Sequence, residues 1–238
     1  MTSALPSLIV LGPPGVGKGT QAKRLAERLG LEHLSPGQLL RDALASGRPL
    51  EDNVRAAMAV GELVPNEIID RLVQERLEQL GPQRGLVLDG YPRTQQQAET
   101  LRGMLARLGR LERRPVVLWL EAPREELMRR LRHRAAQEHR PDDNERAIAR
   151  RLELHESKAP SLLATLARWT DVARIDASPP ADLLTEKILN TLRERAAAGG
   201  GATSVGEQPM LAGSSRRPNS GSMTWAAIPV RDELPPAS

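Results

Sequence analysis

The chain has 238 residues, of which 39% are hydrophobic but only 2% aromatic, so it can bury a sizeable core that must be aliphatic. Its net charge of +4 comes with few aromatic side chains to stack bases, which argues against nucleic-acid binding. The absence of cysteine excludes disulfides, thiol catalysis and cysteine-ligated zinc, and no apolar stretch approaches the roughly 20 residues of a membrane span.

The basic residues indicate the kind of ligand, and the N-terminal residues indicate the cellular compartment. Four of the 34 basic residues are lysine, so thirty are arginine, whose guanidinium grips phosphate with two parallel hydrogen bonds. The first apolar run breaks at Gly12 and no basic region precedes it, so we expect no signal peptide and a cytoplasmic protein.

The first predicted strand, residues 8–11, leads into a glycine-rich loop and then into a helix that opens near Lys18. Small residues in such a loop free backbone N–H groups to bind an anion, and the positive end of the helix reinforces them. Lys18 adds a mobile charge for the β- and γ-phosphates. Gly19 stands where the general pattern has Ser or Thr, and a hydroxyl follows at Thr20. This order of elements indicates that the chain binds a nucleoside triphosphate.

After the loop, the spacing predicts a helix over 21–29, a short strand over 32–34, and three helices over 38–45, 50–60 and 65–80. Three helices without an intervening strand indicate a small helical lobe inserted into the domain. Further on we expect strands over 85–90, 116–121 and 172–176, and helices over 95–108, from 123 to a break at 135–141, over 144–157 with an interruption or restart at Pro160, and over 180–195. Strands alternating with helices predict an α/β fold with a doubly wound, five-stranded parallel sheet.

From residue 196 the composition changes to Gly, Ser and Pro without periodicity, so we interpret 196–238 as a disordered tail and 1–195 as the domain. Within the tail, residues 223–230 contain Trp225 and Ile228, which favours at most a weak docking contact with a protein.

A second motif lies at residues 88–94. Asp89 ends a predicted parallel strand, and ligands bind beyond the carboxyl ends of such strands. A carboxylate there can hold the water shell of a Mg²⁺ ion that bridges phosphates. Arg93, four residues later, can reach a second phosphate.

Five segments taken together resemble the adenylate kinases, of the nucleoside monophosphate kinase family, over roughly residues 6–195. They are Gly-Pro-Pro-Gly-Val-Gly-Lys-Gly-Thr-Gln-Ala, Leu-Ser-Pro-Gly-Gln-Leu-Leu-Arg, Gly-Glu-Leu-Val-Pro, Asp-Gly-Tyr-Pro-Arg-Thr and Arg-Pro-Asp-Asp-Asn-Glu. The resemblance implies a monophosphate-binding lobe at 35–64 and a short lid at 134–141. The longer lid of some relatives, which often holds zinc, is absent, so we expect Mg²⁺ and no zinc.

The resemblance also implies roles for individual residues. ATP is expected to contact Gly15, Val16, Gly17, Lys18, Gly19, Thr20, Arg130 and Arg134. AMP is expected to contact Pro36, Arg41, Glu62, Leu63, Val64, Gly90, Tyr91, Pro92, Arg93, Gln97, Arg140 and Arg151. The implied catalytic set is Lys18, Arg93, Arg134, Arg140 and Arg151, with Asp89 holding Mg²⁺ through water. We expect surface or structural roles for His33, His133, His139 and His155.

Two positions depart from the family pattern, which has Thr-Gly-Asp where this chain has Pro36-Gly37-Gln38. Pro36 removes a hydroxyl near the monophosphate nucleoside. Gln38 removes a carboxylate near the outer shell of the metal, so we expect weaker positioning of Mg²⁺.

These observations favour a monomeric enzyme with ATP and AMP as its partners, and no nucleic acid or membrane. The expected reaction is Mg²⁺-dependent phosphoryl transfer from ATP to AMP, giving two ADP. Thr94 and Gln97 favour adenine. One alternative is a kinase for another monophosphate, such as UMP or CMP. Another is a nucleotide-sensing protein with the same fold and little turnover.

Overall fold

Strands and helices alternate along most of the chain. The structure, a computed structural model, describes residues 7–45, 52–81, 84–138 and 144–199. Within these ranges the strands are β1 (Ser7–Leu11), β2 (Glu32–Leu34), β3 (Leu86–Asp89), β4 (Val116–Glu121) and β5 (Asp171–Asp176). The helices are α1 (Lys18–Leu29), α2 (Pro36–Ala45), α3 (Asp52–Val60), α4 (Asn66–Leu80), α5 (Gln95–Arg107), α6 (Arg124–Glu138), α7 (Glu145–Leu166) and α8 (Ala181–Gly199).

The strands form one parallel sheet in the order β2-β3-β1-β4-β5. In the central strand, Leu8 pairs with Val87 on one side and with Val116 on the other. Successive side chains of a strand point to opposite faces. Residues 8–11 of β1 therefore form a continuous apolar run, because each face of the sheet is covered by helices. The predicted doubly wound five-stranded sheet is confirmed.

The two faces carry separate parts of the core. Leu8 and Val10 pack with apolar residues of α1, α6 and α8, whereas Ile9 and Leu11 pack with those of α4, α5 and α7. The lobe between β2 and β3 has a small core of its own, formed by Leu40, Val54 and Val64 with side chains of α3 and α4 around them. Ile69 packs against both this small core and the core that contains Ile9 and Leu11.

Three predicted boundaries were wrong. Helix α6 continues through the expected break at 135 to Glu138, so the first residues assigned to the lid are helical. Helix α7 is continuous although Pro160 lies inside it, because Leu152 on one side and Leu162 and Leu166 on the other are buried in the core. Helix α8 extends four residues beyond its predicted end at 195, to Gly199, and Ala196 is buried.

Other predictions fall partly or wholly outside the described residues: the lid at 139–141 and the segment 200–238. In the part of the chain that the structure describes, no helix combines the length and the apolarity that crossing a bilayer requires.

Candidate active site

A cleft of about 760 Å³ opens at the carboxyl ends of the strands. Its walls come from the β1–α1 loop, the start of α2, the loop after β3, and helices α6 and α7. The topology explains this location, because β1, β2 and β3 are neighbours and each ends at the same edge of the sheet. The loops that follow these strands therefore meet in one place.

The β1–α1 loop depends on glycine where the chain passes close to other elements. At Gly12, with φ +141°, a Cβ atom would collide with the carbonyl oxygen of Leu120. At Gly15, with φ +81°, it would lie 2.8 Å from Cγ of Leu131. The loop thus packs directly on β4 and α6, and α1 begins immediately after it, at Lys18. Val16, predicted to contact ATP, is fully buried in the core and does not line the cleft.

The side chain of Lys18, the first residue of α1, folds back onto the loop. Its Nζ donates hydrogen bonds to the carbonyl oxygens of Gly12, at 2.9 Å, and Pro13, at 2.8 Å. Burial lowers the pKa of Lys18 to about 7, and the positive charges of three arginines, Arg93, Arg134 and Arg151, lower it as well, while Asp89 acts in the opposite direction. Lysine is therefore surrounded by cations before any ligand binds.

Asp89 ends β3 and faces the start of α1. Its Oδ2 lies 3.5 Å from Nε2 of His33 on β2. Burial by itself would raise the pKa of Asp89, but His33, the charge of Lys18 and the Ser35 hydroxyl together hold it below its usual value. A Cβ atom at Gly19 would come within 3.4 Å of this oxygen. The glycine that departs from the general phosphate-loop pattern therefore lies beside the carboxylate of Asp89.

Arg41 and Arg93 converge over Gly37. A Cβ atom at Gly37 would lie 3.5 Å from Nη1 of Arg41 and 3.6 Å from Nη2 of Arg93. Arg93 is held by its Nε, which donates to the carbonyl oxygen of Gly90 at 2.8 Å. Gly90 also approaches Lys18, whose Cε would be 3.7 Å from an added Cβ. The two arginines and the lysine therefore surround one small volume.

Helices α6 and α7 supply the remaining cations. Arg134 and Arg151 line the cleft, and Arg130 lies at its edge. Arg130 donates to the carbonyl oxygens of Ala177, at 3.0 Å, and Ser178, at 3.1 Å, which tie α6 to the loop after β5. Arg140, predicted to act with them, lies outside the described residues.

A second, smaller cavity of about 90 Å³ adjoins the cleft. Its apolar walls come from the lobe and from the loop after β3, and include Leu40, Met58 and Ile69. Gln97 lies there and is almost fully buried; its Oε1 accepts a hydrogen bond from the backbone N–H of Arg93 at 2.7 Å. The hydroxyl of Thr94 caps α5 by accepting from the N–H of Gln97 at 3.1 Å.

The structure thus brings most of the predicted site residues together. The larger cleft is lined by Gly15, Gly17, Lys18, Gly19, Thr20, Arg41, Leu63, Asp89, Gly90, Pro92, Arg93, Arg130, Arg134 and Arg151. The smaller cavity is lined by Pro36, Arg41, Glu62, Leu63, Val64, Gly90, Tyr91, Arg93, Gln97 and Arg151.

Neither Trp119 nor any histidine was predicted to line the cleft. His33, His133 and His155 line the cleft together with Trp119. The ring of His155 stacks on that of Trp119, with centroids 5.4 Å apart and an interplanar angle of 23°. Burial and the charges of Lys18 and Arg93 lower the pKa of His155 to about 4, so its imidazole is neutral at pH 7. The place of His33 on β2, one residue before the strand ends, was the sequence signal that could have placed it there.

The lobe also contacts the start of α7. Oε1 of Glu62 lies 2.7 Å from Nε of Arg150. Asn144, which caps α7, donates from Nδ2 to the carbonyl oxygen of Ala59 at 3.1 Å. Gly61, with φ +78°, packs so closely that an added Cβ would lie 2.8 Å from Cα of Ala147. We call these contacts the lobe–α7 seam.

Comparisons with known proteins agree with this architecture. The family model described as "Adenylate kinase" matches residues 10–170, more than half of the chain. The adenylate kinase of Thermus thermophilus is 44% identical over 170 residues, which cover 71% of this chain and 88% of the relative. That of Thermobifida fusca is 39% identical over 189 residues, covering 79% and 99%, and that of Micrococcus luteus is 38% identical over 185 residues, covering 78% and 89%. The chain belongs to the adenylate kinase family.

Proposed function

We propose that this protein catalyses the reversible, Mg²⁺-dependent transfer of the terminal phosphoryl group of ATP to AMP, giving two ADP. The observation that carries the proposal is the boundary between the two cavities. Arg41, Arg93 and Arg151 line both of them. Cations at a shared boundary can hold the phosphates of two nucleotides whose bases lie on opposite sides.

The phosphate loop and Lys18 are the ATP side of this arrangement. Backbone N–H groups at the start of α1 favour an anion, and Lys18 can exchange its loop carbonyls for the β- and γ-phosphates. Arg130 lines the same cleft and is held by the carbonyl oxygens of 177 and 178, and we assign it to the ATP side as well.

The smaller cavity is the AMP side. Arg41 and Arg93 would bind the phosphate of AMP, and the apolar walls and Gln97 would contact its base. Gln97 accepts from the Arg93 N–H through its oxygen, so its side-chain NH₂ is the group that remains to donate to a base acceptor.

The chemistry requires positioning and charge more than proton transfer. An oxygen of the AMP phosphate attacks the γ-phosphorus and forms a new P–O bond. The bond from that phosphorus to the β–γ bridging oxygen breaks, and its electron pair leaves with ADP. The attacking oxygen is already an anion, so no general base is needed. Arg134, Arg151 and Lys18 stabilise the charge that spreads over the transferred group.

The residues present fit a Mg²⁺ ion. Mg²⁺ binds through one or two carboxylates, waters and substrate phosphates. Asp89 supplies a carboxylate with a depressed pKa beside the phosphate loop, and Thr20 supplies a hydroxyl at the start of α1. When bound, the ion neutralises phosphate charge.

A coupled assay with ATP and a panel of AMP, CMP, UMP and GMP tests the proposal. We expect kcat/KM for AMP to exceed that for each other monophosphate by at least about tenfold, which corresponds to about 1.4 kcal/mol of discrimination. Preference for a pyrimidine would overturn the adenine assignment. Binding of ATP and AMP without turnover would instead identify a nucleotide sensor.

A further inference from the structure

Gln38, one of the two residues that depart from the family pattern, contacts a substrate-site arginine. Its Oε1 accepts a hydrogen bond from Nη2 of Arg41 at 3.0 Å. Its Nε2 donates to Oδ1 of Asp42 at 2.7 Å. All three residues lie on α2, and Gln38 and Arg41 both line the cleft.

The chemistry of the three groups fixes the orientation of the amide. Guanidinium can only donate hydrogen bonds, and a carboxylate can only accept them. The amide must therefore turn its oxygen to Arg41 and its NH₂ to Asp42. The neutral amide of Gln38 thus bridges the Arg41 guanidinium and the Asp42 carboxylate, and it adds no negative charge that would offset the charge of Arg41. A carboxylate at position 38 would accept from Arg41 but repel Asp42.

Gln38 could instead be interpreted as a residue that caps the N-terminus of α2. Residues 35–38 read Ser-Pro-Gly-Gln, which matches the capping-box pattern in which the fourth residue bonds back to the first. Backbone N–H groups of Gln38 and Leu39 do bond to the carbonyl oxygen of Ser35, each at 3.0 Å, and Pro36 opens the helix. The side chain of Gln38, however, is engaged forward along the helix, at Arg41 and Asp42.

We propose that Gln38 is a positioning residue that holds the guanidinium of Arg41 toward the monophosphate, with Asp42 fixing the amide from behind. This inference rests on the proposed function and deepens it: Gln38 sets the affinity for the phosphate of the acceptor nucleotide. It differs from the expectation drawn from the family pattern, in which the loss of a carboxylate at 38 weakens Mg²⁺ positioning.

The test measures kcat, KM for AMP, KM for ATP and the Mg²⁺ midpoint in the full-length protein. Gln38→Ala removes one hydrogen bond that orients Arg41, and we expect KM for AMP to rise about three- to tenfold with kcat and KM for ATP little changed. Gln38→Glu should raise KM for AMP at least as much, because the new charge pairs with Arg41 and repels phosphate. Asp42→Ala should raise it less, and should add nothing in a Gln38→Ala background.

A matched control lies on α4, where Nε2 of Gln74 donates to Oε1 of Glu78 at 2.8 Å, also across four residues and away from the cleft. Gln74→Glu makes the same chemical change and should leave every constant unchanged. Melting temperatures of all variants check that they fold.

The Gln38→Glu variant separates the interpretations, because Glu serves a capping box as well as Gln does. A KM for AMP within twofold of the parent value in this variant would overturn the proposal. A loss confined to the Mg²⁺ midpoint in Gln38→Ala would overturn it as well, in favour of a metal role. Failure of the proposed function is a separate result, seen in the parent protein as a lack of turnover or of AMP preference.

Discussion

Lys18 shows how a single residue can report ligand binding. Its pKa is about 7 in the ligand-free protein, because the group is buried and surrounded by Arg93, Arg134 and Arg151. Phosphates favour the charged form and raise this pKa. We therefore expect binding of ATP above pH 7 to be accompanied by uptake of a proton.

We expect ATP binding at pH 8 to take up nearly one proton, and ATP affinity to fall as the pH rises from 7 to 9. Titration calorimetry in buffers of different ionisation enthalpy measures the uptake. Lys18→Ala should remove it and lower kcat by at least roughly 10²-fold in a folded protein, since a charge aimed at the transferring group is lost. Uptake that persists in Lys18→Ala would assign the proton to another group.

At this scale, spacing alone located Lys18, Asp89 and Arg93, because a strand followed by a loop fixes which end of the sheet a residue occupies. It did not locate Trp119 or His155. The contact between these two side chains depends on which face of α7 packs against β4. Hydrophobic periodicity does not determine the rotation of a helix about its own axis to that accuracy. The contacts of Gln38 depend on a rotamer, which no sequence pattern specifies.

Among the elements, the lobe–α7 seam carries the next prediction. At Gly61 an added Cβ would strike the backbone of Ala147, and the positive φ adds strain of its own. Gly61→Ala should therefore displace the lobe from α7 at a cost of about 1–3 kcal/mol and raise KM for AMP more than KM for ATP.

Gly109→Ala is the control for strain without collision, because Gly109 has φ +66° and nothing within 4 Å of an added Cβ. Steady-state constants and melting temperatures of both variants make the comparison. Equal changes in KM for AMP in the two variants would show that the close contact between Gly61 and Ala147 does not affect AMP binding.

The elements themselves were predicted well where apolar residues repeat regularly, as in β1 and β4. The errors lie at helix ends. A polar stretch and a proline suggested breaks at 135 and 160, but tertiary packing of Leu131, Leu162 and Leu166 holds both helices together. The local sequence shows that Pro160 destabilises a helix, but it does not show the tertiary packing that offsets this destabilisation.

At the scale of the whole molecule, two C-terminal truncations can be compared. Deleting 200–238 should leave the melting temperature and kcat unchanged, because that segment has no apolar periodicity. Deleting 196–238 should lower the melting temperature, because it removes Ala196, which is buried, and shortens α8. Thermal unfolding of both truncated proteins measures this. Equal stability would show that the last turn of α8 contributes nothing to the stability of the domain.

The monomeric state, the cytoplasmic location and a docking role for 223–230 stay predictions.

The gathering of cations in the cleft has a further consequence, for selection rather than for catalysis. Arg93, Arg134 and Arg151 repel the charged form of Lys18 in the ligand-free fold, and bound phosphates would reduce this repulsion. The rest of the molecule, chiefly its aliphatic core, must offset that strain. Random variants screened for heat resistance without nucleotide would therefore accumulate neutral residues at these positions, and the most heat-resistant survivors would be the least active.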